Sequence, residues 1–150
     1  MAERFLTRGR LERFRNLTRH DRRLFVTAVA VLSVVRLALW VTSFRRLRGA
    51  IERATEPRPG ASDPTPGEAD RIGWAVGSAA RFVPAASCLP QALAAEALLR
   101  RRGHPAELRL GVLRTERGVE AHAWIESYGR VIVGDHELDR YTRLEGSTDV

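Results

Sequence analysis

An α+β fold, with helices first and a small antiparallel sheet after them, is what this 150-residue sequence predicts. Three observations carry the expectation. Apolar residues recur with a helical period through residues 24–44, 66–83 and 88–102. After "GHPA", residues 103–106, the period drops to two, and "ELRLGVL", "VEAHAWIE" and "RVIVG" read as strands. The turns between them, "RTERG" and "SYG", are too short for crossover connections, so the strands pair antiparallel.

The chain opens with "AERFLTRGRLERFRNLTR", a basic and partly amphipathic helix with Phe14 and Leu17 on one face. Thr18 and Asp21 then form a capping box ahead of an apolar run from Leu24 to Phe44. That run is long enough to cross a bilayer, which takes about 20 apolar residues. Arg36 in its middle argues against a span, because a central Arg costs about 2.5 to 3.5 kcal/mol on insertion scales. Thr27, Ser33, Thr42 and Ser43 weaken the run further, and Arg clusters at both ends define no orientation. The expectation is a helix packed on the rest of the protein or on a partner, with at most a peripheral membrane contact through residues 1–53. No cleavable signal is expected, since the apolar part starts late and leads into "FRRLR".

"ATEPRPGASDPTPGEAD" holds four of the seven prolines and reads as a linker. It ends in a second helix start, with Thr65 as cap, Pro66 at the first helical position and Glu68 completing the box. The chain therefore divides into a basic and apolar N-terminal helical region (1–53), a Pro-rich linker (54–67), a C-terminal domain (68–144) and a tail (145–150). Within the domain "HELDRYTRL" is expected to form a short helix, and "EGSTDV" to be loose.

The formal charge of +7 is carried by Arg alone, for the chain has no Lys. Residues 1–53 hold thirteen Arg against four acidic residues, a net of +9. The remainder holds twelve against fourteen, a net of −2, so the basicity belongs to the N-terminal third. No aromatic residues interleave with the Arg in a recognisable module, which excludes nucleic acid as the expected partner. A single cysteine excludes an internal disulfide, and no CxxC or HExxH spacing exists, so neither metal nor cofactor is expected. The expected setting is the reducing cytoplasm.

That cysteine, Cys88, opens the helix "CLPQALAAEALLRRRG", with Ser87 as cap, Pro90 in the first turn and Gly103 as the stop. Leu89, Leu93, Ala97 and Leu98 are its core-facing positions. A free cysteine is most often a small buried hydrophobe, but a helix N-terminus also stabilises a thiolate. Further along, a strand bears His122, and after one tight turn another strand leads to Asp135. Cys, His and carboxylate in this order suit a thiol nucleophile: the imidazole takes the proton, and the carboxylate fixes its tautomer and steadies the imidazolium. Pairing of the two strands through "SYG" sets His122 and Asp135 side by side. Each residue alone has an ordinary role, His122 and Trp124 in sheet packing and Asp135 in a turn. The backbone N–H of Cys88 is a ready oxyanion donor, and Gln91 is a candidate for a second.

"CLPQALAAEALLRRRGHPAELRLGV" followed by "AHAWIESYGRVIVGD" resembles the transglutaminase-like cysteine peptidases of lasso-peptide biosynthesis. These are stand-alone peptidases that remove the leader from a ribosomally made precursor. The resemblance runs from Arg71 to Tyr141 and extends loosely to "RLALW" in the apolar helix. It implies a papain/transglutaminase-like core, a nucleophile helix packed on a small antiparallel sheet, with an N-terminal helical extension. Carried over, Cys88 is the nucleophile, His122 the base and acid, and Asp135 the orienting carboxylate, with Glu137 and Asp139 as alternatives for the third role. The implied partners are a precursor peptide, a small leader-recognition protein and an ATP-dependent lasso cyclase. The leader's penultimate Thr implies a pocket for a small β-branched side chain.

Two other functions fit parts of the pattern. A transglutaminase-like acyltransferase uses the same triad and differs in resolving the thioester with an amine instead of water. A non-catalytic Arg-rich adaptor for membrane or partner needs no triad, and it predicts basic residues throughout, which the slightly acidic C-terminal region does not supply.

Overall fold

The computed structural model describes residues 18–55 and 64–144; the basic segment before Thr18, most of the Pro-rich linker and the tail lie outside them. Among the described residues, four helices precede a four-stranded antiparallel sheet: α1 (Arg19–Val41), α2 (Phe44–Ala54), α3 (Pro66–Ala79), α4 (Cys88–Arg101), β1 (Glu107–Thr115), β2 (Gly118–Ser127), β3 (Arg130–Val133) and β4 (Thr142–Arg143). The strand order is β3-β2-β1-β4.

Local chemistry starts the helices where the sequence predicts. Thr18 Oγ1 accepts from the Asp21 N–H at 3.1 Å and donates to the Asp21 carboxylate at 2.7 Å. At α3 Thr65 accepts from the Glu68 N–H, and Pro66 occupies the first turn. Ser87 stands at the N-cap of α4 in an extended conformation, but its hydroxyl makes no capping bond. The apolar run 24–44 is two helices and not one, since Thr42 is extended and the chain restarts at Phe44. Thr and Ser are poor helix residues, and the break lets α2 fold back to bury Arg48 and Ile51. The third helix stops at Ala79, and turns fill the stretch to Ser87. The short helix expected over 136–144 is a single 3-10 turn, Leu138–Arg140, followed by β4.

One apolar core joins Leu24, Ala28, Leu32 and Val35 of α1 and Ile51 of α2 to α3, α4, Leu108, Ala123, Ile125 and Val133. Helix α4 runs through its middle, with every residue from Ala92 to Leu99 buried. Alanines at 92, 94, 95 and 97 keep the helix thin enough for neighbours to close on several sides. Arg36, the residue that argues against a bilayer span, donates to the Ala85 carbonyl at 3.0 Å and lies 4.7 Å from the Trp40 ring centroid. Inside the core Glu96 is 0% exposed and sits 3.7 Å from Arg48 Nε. Burial pushes its carboxyl above the usual range, against the pull of Arg48 and Arg100.

The sheet carries one irregularity that matters for the site. A two-residue turn with positive φ at Tyr128 (52°) and Gly129 (71°) starts β3 in the register Ser127↔Arg130 and Glu126↔Val131. The next pair is Ile125↔Val133, so Ile132 is an extra residue, a β-bulge. Helix α3 packs over it at Gly73. A Cβ there would lie 2.4 Å from the Ile132 carbonyl oxygen and 2.7 Å from Ile132 Cγ2. Only a glycine lets the helix backbone come this close.

Candidate active site

Cys88 is half-buried at the first position of α4 and packs against the apolar core. After α4 the chain turns at Gly103, whose φ of 80° suits glycine at a helix stop, and runs back along β1. A helix of 14 residues is about 21 Å long, which returns Cys88 to a level roughly six residues into β1. His122 pairs with Gly111, midway along both strands. The two residues therefore lie at similar levels along the helix–sheet pair.

Strand alternation puts Ala123 and Ile125 toward the helices and His122, Trp124 and Glu126 on the other face. There a second, smaller cluster forms. The His122 ring stacks on Trp124 with centroids 6.0 Å apart, and Tyr141 lies 5.0 Å from it at an interplanar angle of 32°. Trp124 is 1% exposed although it lies outside the helical core. Its Nε1–H donates to Glu126 at 2.9 Å, and the Arg143 guanidinium covers its ring at 5.6 Å. Gly111 makes room for this packing: a Cβ would meet Trp124 Cζ3 at 2.9 Å and Tyr141 Cβ at 3.0 Å.

The imidazole has one polar partner among the described residues. His122 Nε2 lies 2.8 Å from the carbonyl oxygen of Gly134. Asp135 points away, its side chain 80% exposed and 4.0 Å from His136 Nδ1. The bulge explains this. Had the register of Glu126↔Val131 continued, Asp135 would face His122; the extra residue carries it one place on and sets the Gly134 carbonyl beside the ring. No hydrogen bond joins Cys88 to His122, or His122 to Asp135, among the described residues. Glu137, the αL residue before the 3-10 turn, pairs with Arg140, and Asp139 lies exposed within that turn. Gln91 Nε2 donates to the Ala86 carbonyl at 2.7 Å, so its amide braces the turn ahead of Cys88. No group of three or more His, Cys, Asp or Glu side chains suited to a metal occurs among the described residues.

Gly111, Gly134 and Tyr141 are the site residues that sequence reasoning passed over. A glycine inside a strand pattern, as in "RLGVL", or just past one, as in "VIVG", signals a bulge or a close approach. Tyr141 has no such signal.

A helix headed by a cysteine, packed on an antiparallel sheet that carries a histidine, now has a family. The model of the transglutaminase-like superfamily matches residues 31–146. The chain belongs to the transglutaminase-like superfamily. No curated protein and no solved structure matches it. Proteins of the transglutaminase-like superfamily are usually cysteine peptidases or acyltransferases, so the chemistry in view is thiol attack on an acyl carbon. In this transglutaminase-like protein the matched span runs from the middle of α1 to just past β4 and includes Cys88, His122, Gly134 and Asp135.

Proposed function

We propose that this chain is a cysteine peptidase that cuts the leader from a ribosomally made lasso-peptide precursor. The observation that carries the reading is the superfamily match over residues 31–146, within which Cys88 heads the most enclosed helix and His122 lies at a similar level on the sheet it packs against. Cys88 Sγ bonds to the acyl carbon at the leader–core junction while the carbon–nitrogen bond breaks. His122 takes the thiol proton and delivers it to the departing amine. Water then cleaves the thioester, which leaves the leader with a free carboxylate and restores the thiol. The Cys88 N–H, at the positive end of α4, faces the developing oxyanion. Asp135 adds negative charge near the imidazolium, weakly, because its carboxylate is solvated. The freed amine is the substrate of an ATP-dependent cyclase, and a small recognition protein presents the leader.

The rival acyltransferase is separated by product mass. Incubated with precursor and an excess of a small primary amine, a peptidase yields leader carboxylate as the main product. A leader recovered mainly as the amide of the added amine assigns the protein to the transferases.

A second surface has its own observation. By length and composition α1 could cross a membrane, yet its inner face is committed to the core. Its outer face leaves Val26, Val34, Leu37, Trp40 and Val41 exposed. Arg19 and Arg23 share that stripe, and its acidic residue Asp21 is buried and paired with Arg71. We propose that this face rests on an anionic bilayer surface as a peripheral helix, with apolar contact reinforced by Arg. The protein should pellet with vesicles rich in anionic lipid and be released by high salt. Failure to bind such vesicles, or release by detergent alone, overturns it.

A further inference from the structure

We propose that the backbone carbonyl of Gly134 is the group that fixes the tautomer of His122, leaving Nδ1 as the basic nitrogen; the inference rests on His122 being the base of the thiol site. A carbonyl oxygen can only accept. A ring nitrogen 2.8 Å from it must therefore carry the proton, so Nε2–H is the donor. In the neutral imidazole the other nitrogen, Nδ1, is then bare. A side-chain carboxylate is the usual means of holding a catalytic imidazole in one tautomer. Here the peptide group before Asp135 holds it.

Three features lock the carbonyl in place. Gly134 has φ of 88°, a conformation that side chains rarely adopt. A Cβ on it would lie 2.9 Å from the Ala123 carbonyl oxygen and 2.9 Å from Trp124 Cβ. The bulge at Ile132 sets the register that delivers it, and the bulge is held in turn against Gly73. On the other side the ring is confined by Trp124 and Tyr141. Gly134 is thus a positioning residue that acts through His122.

The test is the tautomer itself, read from 15N shifts and two-bond couplings of the ring nitrogens in the full-length protein at alkaline pH. The four histidines are separated by loss of one signal set in His122→Gln. The wild type is expected to show His122 as the Nε2–H form. Gly134→Ala should mix the tautomers and slow carboxymethylation of Cys88 about tenfold, with a shifted pH profile. Asp135→Asn should keep the Nε2–H form. A wild-type Nδ1–H form, or tautomer mixing in Asp135→Asn, overturns the proposal, and both measurements stand even if Gly134→Ala does not fold. If the tautomer is as expected but Cys88→Ala still cleaves precursor, the peptidase reading fails and the role of Gly134 toward His122 remains.

Discussion

Cys88→Ala is expected to lower precursor cleavage by about 10⁴-fold or more, as loss of a nucleophile does in other covalent hydrolases. A methyl group cannot attack a carbonyl carbon, and nothing else in the chain substitutes for it, since Cys88 is the single cysteine. The fold should survive. Cys88 is half-buried and makes no hydrogen bond among the described residues, so the substitution removes one sulfur atom from the margin of the core. Its backbone N–H and the α4 N-terminus stay as they are, which preserves the oxyanion donor and peptide binding. The loss should therefore fall on kcat and leave KM nearly unchanged. Cleavage followed by mass spectrometry, with thermal unfolding run on the same preparation, checks both halves. A folded Cys88→Ala protein that still cuts at a comparable rate rules out the thiol mechanism.

Gly73→Ala is expected to destabilise the protein by about 2 to 3 kcal/mol, toward the upper end for overpacking. The new methyl would sit 2.4 Å from the Ile132 carbonyl oxygen. Both partners are main chain, one in a helix and one in a paired strand, so no side chain can swing away to relieve the contact. At this size such a loss lowers Tm by roughly 4 to 12 °C. Gly77, one turn further along α3, is exposed with nothing within 4 Å of a built Cβ. Gly77→Ala should raise stability by about 0.5 to 1 kcal/mol through helix propensity alone. Opposite signs for two glycines one turn apart would tie the effect to the bulge. Equal signs would mean that α3 does not bear on Ile132 as described.

What was legible in the sequence is what local chemistry decides. Thr18, Thr65 and Pro66 start their own helices, and the period-two runs became β1, β2 and β3. The helix–sheet order, Cys88 at a helix head and the pairing of the strands that bear His122 and lead to Asp135 follow from such signals. The register did not. It depends on one extra residue at Ile132, accommodated by a glycine on a helix far back in the chain, and no window around "RVIVG" contains that information. Glu96 was illegible for the same reason, because its partner Arg48 comes from another helix. The break at Thr42 was half-visible: Thr42 and Ser43 weaken the run, but only the return of Arg48 and Ile51 to the core requires two helices.

The enclosure of α4 has a consequence for how the molecule opens. This helix touches α1, α2 and α3 and the strands β1, β2 and β3, so no neighbour can leave without stripping contact from it, and it cannot leave alone. The amides of its buried stretch, Ala92 to Leu99, should exchange with solvent only through global unfolding. The segment from Asp135 to Arg140 is mostly exposed and is held by a single 3-10 turn and the short β4. Such segments open locally, at a small fraction of the global free energy. The nucleophile thus rides on the last part of the protein to let go, while the imidazole is flanked by one of the first.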